Sequence, residues 1–309
     1  MLIETKQVLP RLLAAVAAAA ATSMAAGQAG LVNTGFIDPA TWVRGPLYSA
    51  PANHPIWNPA KIKRLNGQEI AMGTVSAFSL TNYCTVAGRA NNAQGAGGSD
   101  GTWTEMQHSN LDWTQTWSMW SQSCAYVPQG GPGKPVVPGS RISGPLKRDI
   151  QKALDGGAMV LIVPTVDSVE EAQDLIDAIY YPPIGHRKYG PSQAERIYAN
   201  VPGGYRQTFN DNLVVIFMIE TIVGSQAANA IGALPHIDGL FGATSDLGNF
   251  SGYVSGNTDY EKLIKNTYDA AHANGEGACT AFGFRGRVAS VTFPPPYGNF
   301  AYSFNCYQN

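Results

Sequence analysis

Residues 213–220 read LVVIFMIE, an apolar run without alternation that closes on a carboxylate. A strand buried on both faces needs such a run, and strands of that kind belong to parallel sheets covered by helices on each side. Working outward, residues 159–163 (MVLIV) repeat the pattern and stop at Pro164, and residues 237–241 (IDGLF) form a shorter strand. Between the first two, Ser168 with Glu171 three positions later is a capping box that opens a helix running to Ile179. Residues 224–231 and 260–273 have helical spacing, the latter with Leu263, Tyr268 and Ala271 among its inward positions. Upstream, residues 71–78 and 102–106 read as strands, and residues 145–154 as a helix stopped by Gly156 and Gly157. Apolar strands alternating with helices leave two arrangements, a closed (β/α)₈ barrel or an open doubly wound sheet. No GxGxxG or GxxxxGK[ST] follows any strand, so nucleotide binding has no motif to support it.

Composition narrows the class further. Of 309 residues, 44% are hydrophobic and 14% charged, with a formal net charge of −2. These values fit a well-buried globule, and without a basic stripe they exclude nucleic acid as a partner. Lys6 and Arg11 precede an apolar stretch at 12–21, and Ala25, Ala26 and Ala29 follow. That is the layout of a secretory signal peptide over residues 1–29, so secretion is expected, with cytoplasmic residence as the alternative. The stretch is too short and too weakly apolar for a membrane span, and no other segment could cross a bilayer, so no membrane partner is expected once it is removed. Residues 30–64 read as an irregular arm and 65–309 as the barrel domain, with Gly- and Pro-rich loops at 91–100 and 128–138. Cys84, Cys124, Cys279 and Cys306 include no CxxC pair, which disfavours zinc and leaves disulfides and buried thiols both open.

In a barrel the functional groups follow the strands at their C-terminal ends. Glu220 directly follows 213–219, and Asp246 lies just past 237–241. Hard oxygen donors from adjacent strands suit Mg²⁺ or Mn²⁺. The alternative is a salt-bridged Glu220 and an N-capping Asp246. His108, after 102–106, is a proton carrier for neutral pH or a surface histidine, and Glu105 is placed to orient it or its bound water. Arg141, after Val136 and Val137, is an anion holder or an ordinary surface arginine. Arg187, in a proline-fixed loop, reads as structural.

Together these pieces resemble the HpcH/HpaI aldolases, the 2-oxo-acid or citrate-lyase-like family, over residues 101–275. The resemblance is carried by LIVP at 161–164 with the following Glu170-Glu171-Ala172, by YPPIGHR at 181–187, by Ile219-Glu220-Thr221, and by IDGLF at 237–241 with Asp246-Leu247. It implies a (β/α)₈ TIM barrel, incomplete or divergent at its C-terminal end. It also implies a class II aldolase or lyase that cleaves a 4-hydroxy-2-oxo acid to pyruvate, or a related 2-oxo acid, and an aldehyde through a metal-stabilised enolate. By the same resemblance Glu220 and Asp246 hold a divalent cation (Mg²⁺, Mn²⁺ or Co²⁺), Arg141 steadies the enolate oxygen, and His108 handles the aldol proton with Glu105 as its partner. The backbone N–H groups of Ser245 and Asp246 receive the substrate carboxylate. No strand carries a lysine for a Schiff base. Partners are then a small 2-oxo acid and an aldehyde, with a homo-oligomer as an option. The sequence departs from the family pattern in having Ala243-Thr244 where Gly-Pro is usual, Gln107 before the histidine, Glu105 for Asp, and a C-terminus broken by Pro294, Pro295 and Pro296. Two other functions stay open at this point: an oxaloacetate decarboxylase on the same site, and a catalytically silent secreted barrel acting as a binding protein. The sequon Asn249-Phe250-Ser251 lies close to the expected site and is expected to stay unglycosylated.

Overall fold

The structure is a computed structural model that describes residues 46–48, 50–68, 70–92, 100–122, 137–280 and 303–307. The expectations for residues 1–29, Cys124 and 294–296 fall outside this range.

The strands are β1 (Ile70–Val75), β2 (Gly101–Glu105), β3 (Val137–Arg141), β4 (Val160–Val163), β5 (Val214–Ile219), β6 (Gly239–Gly242), β7 (Gly277–Thr280) and β8 (Ser303–Tyr307). They pair in chain order, and β8 pairs back onto β1 to close a barrel. From β1 to β7 every ladder is parallel. The parallel part is therefore a curled, incompletely closed sheet, and β8 completes it while running antiparallel to both β1 and β7. This is the divergent C-terminal end of the expected TIM barrel, with the last parallel strand replaced by a reversed one.

The helices are α1 (Pro59–Leu65), α2 (Leu80–Asn92), α3 (Trp113–Trp120), α4 (Lys147–Gly156), α5 (Val169–Ile179), α6 (Ser192–Ile197), α7 (Tyr205–Asn212), α8 (Ile222–Gly232), α9 (Thr244–Ser251) and α10 (Thr258–Ala273). In α10, Tyr268 and Ala271 are buried as expected, but Ile264 takes the inward place next to a half-buried Leu263. The loop expected at 128–138 ends early, because Val137 and Pro138 already belong to β3. Ser168 caps α5 by accepting from Glu171 N at 3.1 Å, whereas the Glu171 carboxylate accepts from Asp167 N and not from the cap residue. Inside the barrel Met72 fills space left by two glycines. A Cβ on Gly101 or Gly139 would sit 2.8 or 2.7 Å from its methyl carbon.

The stretch expected as an irregular arm to Arg64 ends in α1, which covers the base of the barrel. Asn58 caps it by accepting from Ala60 N, and the Asn58 amide donates to Met159 O and Asn212 O beside β4 and β5. Lys61 pairs with Asp238 at 2.7 Å and Lys63 with Asp100 at 2.9 Å. Asp100, Asp238 and Glu276 are buried residues that immediately precede β2, β6 and β7. Function is not expected at this end of a barrel, where charge pairs read as stability. Burial, with Asp238 adding to it and Arg64 opposing it, pushes the Glu276 carboxyl up to about 9. The folded state thus holds this proton more tightly than the unfolded chain does. Its contribution is intact below the ordinary carboxylate range and is lost as pH rises toward 9. Glu276→Gln is therefore expected to gain about 1–3 kcal/mol over wild type at pH 9, with a smaller gain at pH 5. Urea unfolding at the two pH values checks this; equal stability at both would remove the argument.

Candidate active site

Glu105 and Arg141 are register partners across β2 and β3, so their side chains leave the sheet together at its C-terminal end. They form an ion pair between Arg141 Nη2 and Glu105 Oε2, with side chains only 11% and 8% exposed. The other carboxylate oxygen of Glu105 accepts from the backbone N–H of Gln107 (2.8 Å) and His108 (3.1 Å), which fixes the loop after β2. The guanidinium lies over Trp103, 5.3 Å from the ring centroid, and Trp103 meets Phe241 of β6 edge-on across the barrel. These rings floor the mouth. Arg141 Nε has no hydrogen-bond partner among the described residues.

Glu220, 2% exposed, directly follows β5. Its Oε1 accepts from the Thr165 hydroxyl, while Oε2 is buried without a hydrogen-bond partner among the described residues. Burial is the main influence pushing this carboxyl up from its ordinary range. The negative charge of Asp246 adds to the rise, whereas hydrogen bonds from Thr165 and the cation of Arg141 pull the other way. Glu220, Asp246 and Arg141 therefore share one electrostatic neighbourhood although they come from three different strand ends.

Asp246 is half-buried in the first turn of α9. It does not cap the helix. Ala243 holds that position and offers no side-chain cap, so the first N–H groups of α9, including those of Ser245 and Asp246, lack the usual side-chain acceptor. Ser245 is exposed. His108 is exposed at the edge of the mouth, and its backbone rather than its ring meets Glu105. Glu105 thus holds Arg141 and the loop, which is not the histidine pairing that the resemblance implied. Arg187 lies outside this group, buried over Tyr181 and Phe209 and paired with Asp155 at 2.7 Å.

Thr165 is the site residue that sequence reasoning missed. It has φ +53°, in the left-handed region that a β-branched residue adopts only under constraint, at a cost of about 1–3 kcal/mol. Around it the β4 and β5 loops are stitched together. Val166 N donates to Met218 O at 3.1 Å, and the Thr221 hydroxyl donates to Asp167 Oδ1 at 2.6 Å while capping α8 through Gly224 N. The available signal was positional, since Thr165 follows the Pro164 that ends a buried strand.

A divalent cation fits this donor set. A buried carboxylate oxygen without a partner, with a second carboxylate near it, is costly unless a cation compensates it. Among the described residues no cluster of three His, Cys, Asp or Glu side chains forms, so Glu220 and Asp246 would hold the ion as a pair and leave positions to substrate and water. A cavity of about 710 Å³ lies elsewhere, between Trp113, Trp117, Lys152 and Arg196 on the outer wall.

Residues 121–283, just over half of the chain, match the HpcH/HpaI aldolase/citrate lyase family. The chain belongs to the HpcH/HpaI aldolase/citrate lyase family. A hydroxypyruvate/pyruvate aldolase of Chromohalobacter salexigens is 32% identical over 42% of this chain and 52% of its own length. A 2-keto-3-deoxy-L-rhamnonate aldolase of Klebsiella pneumoniae is 32% identical over 42% of this chain and 49% of its own. The chain spans about half the length of the curated relatives it matches. Among solved structures, macrophomate synthase superposes with a TM-score of 0.58 at 20% identity, covering 78% of this chain and 81% of that one, which is a likeness of fold. Membership in this HpcH/HpaI family links the chain to enzymes that make or break carbon–carbon bonds in small acids, and to the use of metals.

Proposed function

We propose that this HpcH/HpaI protein is a class II aldolase that cleaves a 4-hydroxy-2-oxo acid to pyruvate, or a related 2-oxo acid, and an aldehyde. The observation that carries the reading is Glu220, a buried carboxylate with one oxygen unpartnered among the described residues, in the combined field of Asp246 and Arg141. The aldolase names of the two relatives support it. A divalent cation (Mg²⁺, Mn²⁺ or Co²⁺), when held by Glu220 and Asp246, supplies Lewis acidity at the 2-oxo group.

The residues of the chain do the rest. The N–H groups of Ser245 and Asp246 bind the substrate carboxylate at the start of α9. His108, at the exposed edge, takes the proton of the C4 hydroxyl through water. As the C3–C4 bond breaks, its electron pair moves toward the 2-oxo oxygen, and the aldehyde leaves. Arg141 donates from Nε to that oxygen, so stabilisation sits where charge develops. Glu105 keeps Arg141 in place and holds the His108 backbone. Secretion is proposed from residues 1–29 alone, and a homo-oligomer is compatible with the same reading.

Enolisation of pyruvate tests the proposal. In D₂O with Mg²⁺, the protein is expected to exchange the pyruvate methyl protons, seen as loss of the methyl signal by NMR, and a chelator should stop it. No exchange with any of the three cations would sink the reading. Pyruvate formed from oxaloacetate, without exchange into added pyruvate, would favour the decarboxylase.

A further inference from the structure

We infer that Thr165 is a positioning residue that presents Glu220 to the cation, an inference that rests on the metal-dependent reading above. Glu220 could turn about its last side-chain bond and offer either oxygen in several directions. In the structure one oxygen is taken up by the Thr165 hydroxyl, so the other is left with a single orientation, buried and unpartnered among the described residues. The backbone explains why this needs an unfavourable conformation. Thr165 at φ +53° turns the chain just beyond the end of β4, after Pro164, and its hydroxyl reaches Glu220 just past β5. An extended residue at 165 would point its side chain to one face of the sheet instead of across to the neighbouring strand end. The turn is anchored on both sides of Glu220, by Val166 N on Met218 O and by Thr221 on Asp167. A β-branched residue held in the left-handed region beside a carboxylate it hydrogen-bonds is a local cost that folding alone does not require, because glycine would make the same turn without it.

The role separates from a merely structural one by substitution. Thr165→Gly relieves the backbone and removes the hydroxyl, so its melting temperature should equal or exceed that of wild type while Mn²⁺ binding weakens about 10- to 100-fold, the usual effect of losing a group that orients a metal ligand. Thr165→Val also loses the hydroxyl and should weaken binding by a similar factor, with a lower melting temperature. Thr165→Ser keeps the donor and should restore affinity to within about threefold of wild type. Calorimetric titration with Mn²⁺ alone, beside thermal unfolding without metal, reads both quantities. If wild type binds Mn²⁺ and Thr165→Gly binds it equally well, the positioning role is overturned and the metal-dependent reading stands. If wild type itself does not bind, the metal-dependent reading fails and this inference with it.

Discussion

Glu220→Gln is expected to slow exchange of the pyruvate methyl protons by at least about 10³-fold, the several kcal/mol that Lewis-acid assistance is worth. Glutamine has the shape of glutamate and keeps an oxygen for the Thr165 hydroxyl. It replaces the unpartnered buried oxygen by an N–H donor that cannot ligate a cation. Because burial already disfavours the charge of Glu220, neutralising it should leave the melting temperature unchanged or raised, so the lost exchange cannot be assigned to unfolding. Asp246→Asn should act in the same direction and less severely, since Asp246 is half-buried and better solvated. Methyl-signal decay measured with Mg²⁺ at matched protein concentration compares the three proteins. Equal rates would show that the two carboxylates are not the site.

Arg141→Met is expected to lose both chemistry and stability. Removing a donor aimed at a developing oxyanion costs about 10²–10³ in rate. Removing the cation also strands Glu105, whose side chain is 8% exposed, and breaking a buried pair from one side costs about 3–5 kcal/mol. The double variant Arg141→Met with Glu105→Gln should recover most of the stability, because no buried charge is then left alone, without recovering exchange. Urea unfolding and NMR exchange on the single and double variants separate the two effects. A double variant no more stable than Arg141→Met would deny that the pair is what holds these strand ends together.

Much of this was legible in the sequence because it is local. Residues 160–163 and 214–219 announce strands buried on both faces, since no polar residue interrupts them, and Glu220 is conspicuous because it ends such a run. Helix α3 carries its own signature, Asp112 and Gln115 in a reciprocal capping box, but aromatic and polar residues mask its period. Helix α9 is not marked in the sequence, since no side chain caps its start. The features that stayed hidden depend on contacts between distant segments. The engagement of Glu105 with Arg141 follows from the register of β2 on β3, which no spacing within either segment encodes. The left-handed turn at Thr165 runs against the residue's own preference, so nothing in the local sequence points to it. The reversal of β8 depends on how the barrel closes, and nothing in 303–307 states a direction.

The reversed strand has a practical consequence. Ser303 lies opposite Gly73 and Cys306 opposite Ile70, so among the described residues a five-residue ribbon joins β1 to β7. Without it, both would present bare rows of N–H and C=O groups, ready to recruit strands from other molecules. Shortening the chain before residue 303 would therefore be felt first as clumping in solution, even with Glu105, Arg141, Glu220 and Asp246 all still in the chain.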